Sequence, residues 1–159
     1  MIKRSAGLLL FKRVAGELLF LLVHPGGPFW RNKDLGAWSI PKGEFDESEE
    51  PLAAARREVE EEIGLKTSGP FIPLGELKQP SKKVVHAWAH ECEFELSKLK
   101  SNAFEMEWPP KSGKTATFPE VDRAGWFTAA EAREKILPGQ SEFIARLVKA
   151  LASTNTSKT

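Results

Sequence analysis

Three glutamates, Glu58, Glu61 and Glu62, stand at i, i+3 and i+4 in a run of strong helix formers, with a fourth, Glu60, between them. On a helix this spacing sets the three side by side on adjacent turns, where each like-charge pair costs about 0.2–0.5 kcal/mol. A hard divalent cation turns that repulsion into binding, and Mg2+ or Mn2+ suits carboxylate oxygens. The competing reading is a solvated acidic face balanced by Arg56 and Arg57. With Lys42 and Gly43 just ahead of the helix, the chemistry indicated is hydrolysis of a phosphoanhydride. Carboxylates hold the cation, the cation binds phosphate oxygens and acidifies water, and lysine offsets phosphate charge.

The elements that must position these groups are legible around them. Pro51 suits the first helical turn, where its missing N–H is not needed, and the acidic run 46–50 complements the positive end of the helix dipole. Leu52, Ala55, Val59 and Ile63 form an apolar stripe, and Gly64 is placed to end the helix. Gly43 is expected in a turn that follows a short strand over 37–40.

Residues 5–13 and 18–24 read as two buried strands joined by a tight turn, and 25–36 as a surface loop rich in glycine and proline. Residues 71–78 and 84–94 predict two more strands, and 124–127 a last short one. The stretch 97–119 is polar, proline-punctuated and expected to be a long loop, a kind that is usually functional or mobile. Thr128 and Glu131 form a capping box for a helix to about residue 136, and 141–151 predict the final helix. Residues 1–151 are thus expected to make one domain and 152–159 a disordered tail. Strands with one central and two late helices imply an α/β fold, a mixed sheet covered on both faces.

Composition narrows the class. A chain of 159 residues with 41% hydrophobic content can bury one proper core. The net charge of +1 gives no global attraction to nucleic acid or membrane, so an anionic substrate must be met locally and stable nucleic-acid binding is not expected. The single cysteine, Cys92, excludes an internal disulfide and points to the cytoplasm. No apolar run reaches the length of a membrane span.

The segment from Gly43 to Leu65 carries Gly43, Glu49, Arg57, Glu58, Val59, Glu61, Glu62, Gly64 and Leu65 at the spacing of the Nudix box, which it resembles at every specified position. The resemblance implies an α/β/α sandwich and a metal-dependent hydrolase that cleaves a nucleoside diphosphate linked to another group. It also implies roles: Glu58, Glu61, Glu62 and the carbonyl of Gly43 as metal ligands, with Arg57 and Glu49 orienting the glutamates. Which glutamate acts as general base varies within the family, and Glu58, Glu61 and Glu120 remain candidates here. Glu120, in Pro119-Glu120-Val121-Asp122, is similar to an outer ligand or base that relatives recruit from a loop; its alternative is an ordinary exposed carboxylate.

Trp38-Ser39-Ile40-Pro41-Lys42-Gly43 is similar to the approach segment of relatives acting on dinucleoside polyphosphates, diphosphoinositol polyphosphates or RNA 5′ ends. Candidate substrate contacts are Lys42, Arg31, Lys33 and Lys83 for phosphates, and Trp30, Trp88 or Trp108 for a base. Trp88 lies in an apolar strand and is expected in the core, as are the histidines in or beside strands. The preferred substrate is a (di)nucleoside polyphosphate such as diadenosine tetraphosphate or a nucleoside triphosphate. The alternatives are a diphosphoinositol polyphosphate hydrolase and a Nudix-fold module that binds a nucleotide without cleaving it.

Overall fold

The computed structural model describes residues 3–156. Its backbone is β1 (Arg4–Val14), β2 (Glu17–Pro25), β3 (Lys42–Phe45), α1 (Pro51–Ile63), β4 (Ile72–Lys78), β5 (Val84–Glu91), β6 (Ala103–Glu107), β7 (Thr115–Pro119), β8 (Val121–Phe127), α2 (Ala129–Lys135) and α3 (Ser141–Thr156). The main sheet runs β4-β5-β1-β2-β8, with β3 also paired to β1. It is mixed, because β1 is parallel to β5 and antiparallel to β2 and β3.

Strand β1 organises the sheet. Its residues Ser5 to Phe11 are buried without a break, as expected of a strand covered on both faces. Leu8 and Leu10 pack with Ala54, Ala55, Val59 and Ile63 of α1, while Leu9 and Phe11 pack with Ala132 of α2 and Phe143, Ile144 and Leu147 of α3. The expected α/β/α layering is therefore observed. Its first half pairs with β3 and its last four residues with β2. Between β1 and β2, Ala15 and Gly16 both take positive φ, the two-residue turn that suits the twist of a hairpin.

Several elements differ from expectation. The strand expected over 37–40 is replaced by isolated bridges, Val23 to Ser39 and Trp38 to Ile136, and the strand proper begins at Lys42. Gly7 explains the shift: a Cβ there would stand 2.4 Å from both Pro41 O and Lys42 Cβ, so only glycine lets that segment close onto β1. Gly43 is accordingly a strand residue, not a turn residue.

The expected loop 97–119 contains the antiparallel hairpin β6–β7. Phe104 faces Phe118 and Met106 faces Ala116 across it, a period-two pattern that proline and lysine in the intervening turn had masked. Strand β5 stops at Glu91, short of the expected residue 94, although Phe94 is still buried and Glu93 and Glu95 exposed. Strand β8 starts earlier, at Val121, because His24 and Pro25 of β2 extend its pairing. Helix α3 continues to Thr156 through residues expected to be a disordered tail, and the last part of that expectation, 157–159, lies outside the described residues.

Candidate catalytic site

Helix α1 is fixed at both ends by its own sequence. Glu50 takes the N-cap, its carboxylate accepting from Leu52 N at 3.2 Å and Ala53 N at 3.0 Å, and Pro51 follows in the first turn. Gly64 closes the other end at φ 81, donating its N–H to Glu60 O at 2.8 Å. The apolar stripe of Ala55, Val59 and Ile63 then sets the rotation of the helix on the sheet. That rotation turns Glu58 and Glu62 toward β3 and leaves Glu61 at the edge.

Arg57 organises the carboxylates. Its Nε and Nη2 form a two-pronged pair with Glu49 at 2.7 and 2.8 Å, while Nη1 donates to Glu58 at 2.9 Å and to both oxygens of Glu61 at 3.2 Å. Four hydrogen-bonded directions from one planar guanidinium leave Arg57 little freedom, and the pairing with Glu49 foremost raises its pKa above the ordinary arginine range.

Glu58 is 9% exposed and lies against Gly43 so closely that a Cβ there would stand 1.9 Å from its Oε2. The glycine is thus demanded by the approach of a carboxylate to a strand. Glu62 accepts from the backbone N–H of Lys42 at 3.0 Å. Burial pushes the Glu62 carboxyl up to about 7 against the opposing pull of Lys42, with the charges of Glu120 and Glu58 adding to the rise. Burial also raises Glu58, opposed by Arg57 and reinforced by Glu61 and Glu120.

Glu120 is an exposed residue between β7 and β8, and its charge acts on both Glu58 and Glu62. Its backbone N–H donates to Asn102 O at 2.8 Å, its carbonyl accepts from Gly26 N at 2.9 Å, and Asn102 N donates to Glu61 O at 2.9 Å. Ser101 Oγ accepts from Val121 N at 3.0 Å beside this link.

Of the residues singled out from sequence, the structure sets Glu58 on Gly43 and Glu62 on the Lys42 N–H, with Glu61 and Glu49 joined to Glu58 through Arg57, while Glu120 acts on Glu58 and Glu62 only through its charge. Lys83 instead pairs with Glu44 at 3.8 Å. In β3, Gly43 and Phe45 face α1, so Glu44 faces away from it. Arg31 and Lys33 are exposed in the 26–36 loop, the Lys33 ammonium 5.4 Å from the Trp30 ring centre. Trp108 stands at the end of β6 with its ring against Phe29. Trp88 is half-buried on the α1 side of the sheet, as expected of a core residue.

Sequence reasoning missed Asn102, which acts through its main chain and carries no side-chain signal, and Phe29, whose partner lies far along the chain. It also missed a latch: fully buried His24 contacts Asp122 at 2.9 Å through Nδ1 and the Lys33 carbonyl at 2.6 Å through Nε2, tying the 26–36 loop to β8. His86 pairs with Glu76 and His90 with the Pro70 carbonyl, so these two are structural as expected.

Two grooves border α1. One of about 900 Å³ runs along Lys3, Arg4, Glu44 and Glu49; its walls lack Glu58, Glu61, Glu62 and Glu120. A smaller one of about 310 Å³ is lined by Arg57, Glu60, Glu61 and Asn102, so Glu61 is the one candidate ligand on its walls.

The donors suit a hard cation chemically: carboxylates destabilised as anions by burial and mutual charge, beside a strand carbonyl. They are not gathered in advance. Among the described residues no three Asp, Glu, His or Cys side chains form a ready cation site, and Arg57 holds Glu61. A cation held by Glu61 would have to draw that carboxylate away from the guanidinium.

Comparison with known proteins places the chain in a family and a fold. A family model described as the NUDIX domain matches residues 1–147. The chain is 30% identical over 128 residues to an RNA pyrophosphohydrolase of Brucella anthropi, covering 71% of this chain and 68% of that protein. To an RNA pyrophosphohydrolase of Bartonella henselae it is 38% identical over 69 residues, 41% of this chain, and spans only 37% of the relative's length. Its fold is similar to that of a C. elegans Ap4A hydrolase solved as a binary complex, with a TM-score of 0.67 at 20% identity over 94% of this chain and 98% of that one. With the box residues grouped on α1 and β3 and a family model spanning residues 1–147, the chain belongs to the Nudix hydrolase family.

Proposed function

We propose that this protein is a divalent-metal-dependent pyrophosphohydrolase cleaving a phosphoanhydride in a nucleoside diphosphate linked to another group, with a (di)nucleoside polyphosphate as substrate. The observation that carries the reading is the packing of buried Glu58 on Gly43 and of Glu62 on the Lys42 N–H, with Arg57 joining Glu58 to Glu61 and Glu49. Glu58, Glu61, Glu62, Glu120 and the Gly43 carbonyl would hold Mg2+ or Mn2+. Such a cation, when bound, supplies Lewis-acid polarisation of the phosphoryl oxygens and a more acidic water.

The chain's own residues do the rest. Arg57, locked by Glu49, restrains Glu58 and Glu61 so that their oxygens stay on one side of the helix. Glu58, Glu61 and Glu120 are the candidates to take a proton from the attacking water. Lys42, close enough to Glu62 to act on its charge, is assigned to a phosphate oxygen. Arg31 and Lys33 supply further positive charge from the 26–36 loop, and Trp108 an aromatic surface for the base; Lys83 is the weakest of these assignments because Glu44 already holds it.

The Brucella and Bartonella relatives favour a second substrate reading, the 5′ end of RNA. Diphosphoinositol polyphosphates are a third, and they require a denser basic pocket than Lys42, Arg31 and Lys33 provide. A module that binds without cleaving is disfavoured because no box carboxylate is missing. We place the activity in the cytoplasm on the strength of the single cysteine; among the described residues no helix is long and apolar enough to cross a membrane.

The test is product analysis by ion-pairing chromatography. The protein and its Glu61→Gln variant are incubated with Mg2+ or Mn2+ and a panel of triphosphates, dinucleoside polyphosphates, 5′-triphosphorylated RNA, nucleotide sugars and inositol pyrophosphates. Cleavage of one class, lost in the variant, is the expected result. Absence of turnover across the panel would return the binding-module reading.

A further inference from the structure

Near the end of β2 a fully buried imidazole has an oxygen at each of its nitrogens. His24 Nδ1 lies 2.9 Å from an Asp122 carboxylate oxygen and Nε2 lies 2.6 Å from the Lys33 carbonyl. A carbonyl has no proton to give, so the proton of the Lys33 bond sits on Nε2. A carboxylate likewise only accepts, so the ring brings a second proton at Nδ1. A ring with two protons is a cation, and a cation out of water persists where a counter-ion and hydrogen bonds meet it. Asp122 is that counter-ion. Arg123 Nε lies 3.7 Å from the same Asp122 oxygen, and its guanidinium stands 5.2 Å from the centre of the Trp38 ring, which meets His24 edge to face. Asp34, which accepts from the Trp38 indole N–H, is paired with Lys135.

The Lys33 carbonyl belongs to a turn. Lys33 N–H donates to Trp30 O at 2.9 Å, which sets Arg31 and Asn32 at an exposed tip. At its other end the 26–36 loop closes on the Glu120 segment: Gly26 N–H donates to Glu120 O at 2.9 Å. A Cβ on Gly26 would stand 1.9 Å from Pro119 O, so glycine is what lets the two backbones meet. His24 thus ties the turn that bears Arg31 and Lys33 to the same stretch, 119–122, that presents Glu120.

We propose that His24 is held with a proton on both ring nitrogens and acts as a positioning residue, registering Arg31 and Lys33 with the Glu120 segment to receive a polyphosphate chain. That these two cations meet phosphate rests on the proposed function; the protonation of the ring does not. His24 itself touches no substrate. On an untethered turn the same cations would bind phosphate more weakly, because the ligand would then have to order the loop.

Two measurements on the full chain test the proposal. In nitrogen-15 NMR of the imidazole rings at neutral pH, both His24 nitrogens are expected to resonate as protonated nitrogens. An unprotonated Nδ1, with the proton on Asp122, would overturn the ion pair. Substitution then separates the two arms. The amide nitrogen of Gln reaches about where Nε2 stands and that of Asn about where Nδ1 stands, so His24→Gln keeps the Lys33 bond and His24→Asn keeps only the Asp122 bond. Calorimetry follows inorganic tripolyphosphate in EDTA, where no metal-dependent turnover occurs. His24→Asn is expected to weaken binding about tenfold with circular dichroism unchanged, and His24→Gln to recover most of it. Equal losses in the two variants, no loss in His24→Asn, or no tripolyphosphate binding by the parent protein would overturn the positioning role. Arg31→Ala, at an exposed position, keeps the test open if His24→Asn does not fold: it is expected to weaken tripolyphosphate to a similar degree, and unchanged binding would remove the cation that His24 positions. With Mg2+ and a substrate that is turned over, His24→Asn should raise KM and leave kcat near the parent value, and a fall in kcat alone would overturn the role. The tripolyphosphate pattern without turnover of any substrate keeps the latch and removes the hydrolase, whereas turnover without that pattern does the reverse.

Discussion

Helix α1 and the β6–β7 hairpin stand on either side of Glu120 and are built on opposite principles. On α1 the acidic groups are held by side chains, through the four-way grip of Arg57 and the backbone of β3. The hairpin reaches the site through main-chain bonds at Asn102, and its own side chains are exposed or half-buried. The carboxylates of α1 are tied by several side-chain hydrogen bonds, whereas the hairpin is carried on a backbone strut.

The contrast can be broken most sharply on the α1 side. Glu61→Gln or Glu62→Gln removes a charge while keeping shape, and kcat/KM is expected to fall by at least about 10²–10³-fold with circular dichroism unchanged. Turnover near the parent level in both variants would remove α1 from the chemistry. Glu49→Gln should act more mildly. It touches no candidate ligand and loosens only the far prong of Arg57, so a loss of about 10–100-fold is expected, largely recovered at high Mg2+ if Arg57 positions ligands rather than substrate. A loss insensitive to Mg2+ would point to Arg57 contacting substrate instead.

Gly43→Ala tests the packing under the same face. A methyl there meets Glu58 Oε2 at 1.9 Å, so either the strand or the carboxylate must move, at a cost of about 1–3 kcal/mol read as a fall in the thermal midpoint. An unchanged midpoint would mean that Glu58 is free to swing away.

The smallest effect is on pH dependence. Unfolded, Glu62 titrates near 4.5, and folded it is pushed up to about 7, so the folded state holds the proton more tightly. Its contribution to stability is full below about pH 4.5 and is lost as pH rises through about 7. The thermal midpoint of the metal-free protein should therefore decline over that window more steeply than that of Glu62→Gln. Parallel curves would show that Glu62 is not desolvated.

How much of this was legible in the sequence follows the same division. The α1 site is local: Pro51, the apolar stripe, Gly64 and the Arg57–Glu61 spacing lie within one helix, and the helix period alone predicts that they meet. Strands β1 and β2 were legible because an unbroken apolar run flanks a short turn. The hairpin was obscured because each of its strands has only two inward residues and the segment's prolines resemble loop punctuation. Gly43 was misread as a turn glycine because the reason for a glycine there is a carboxylate fifteen positions later, and Phe29 meets Trp108 across still more chain. Contacts of that kind depend on sheet topology, which periodicity does not encode.

The link through Asn102 has an evolutionary corollary. Because both of its bonds use main-chain atoms, they constrain the path of the backbone and not the identity of any side chain. Strands β6 and β7 can exchange residues at Phe104, Met106, Trp108 or Phe118 without losing the anchor that sets Glu120 against α1. The hairpin's side chains can in that sense be rewritten while the backbone path that carries Glu120 stays as it is.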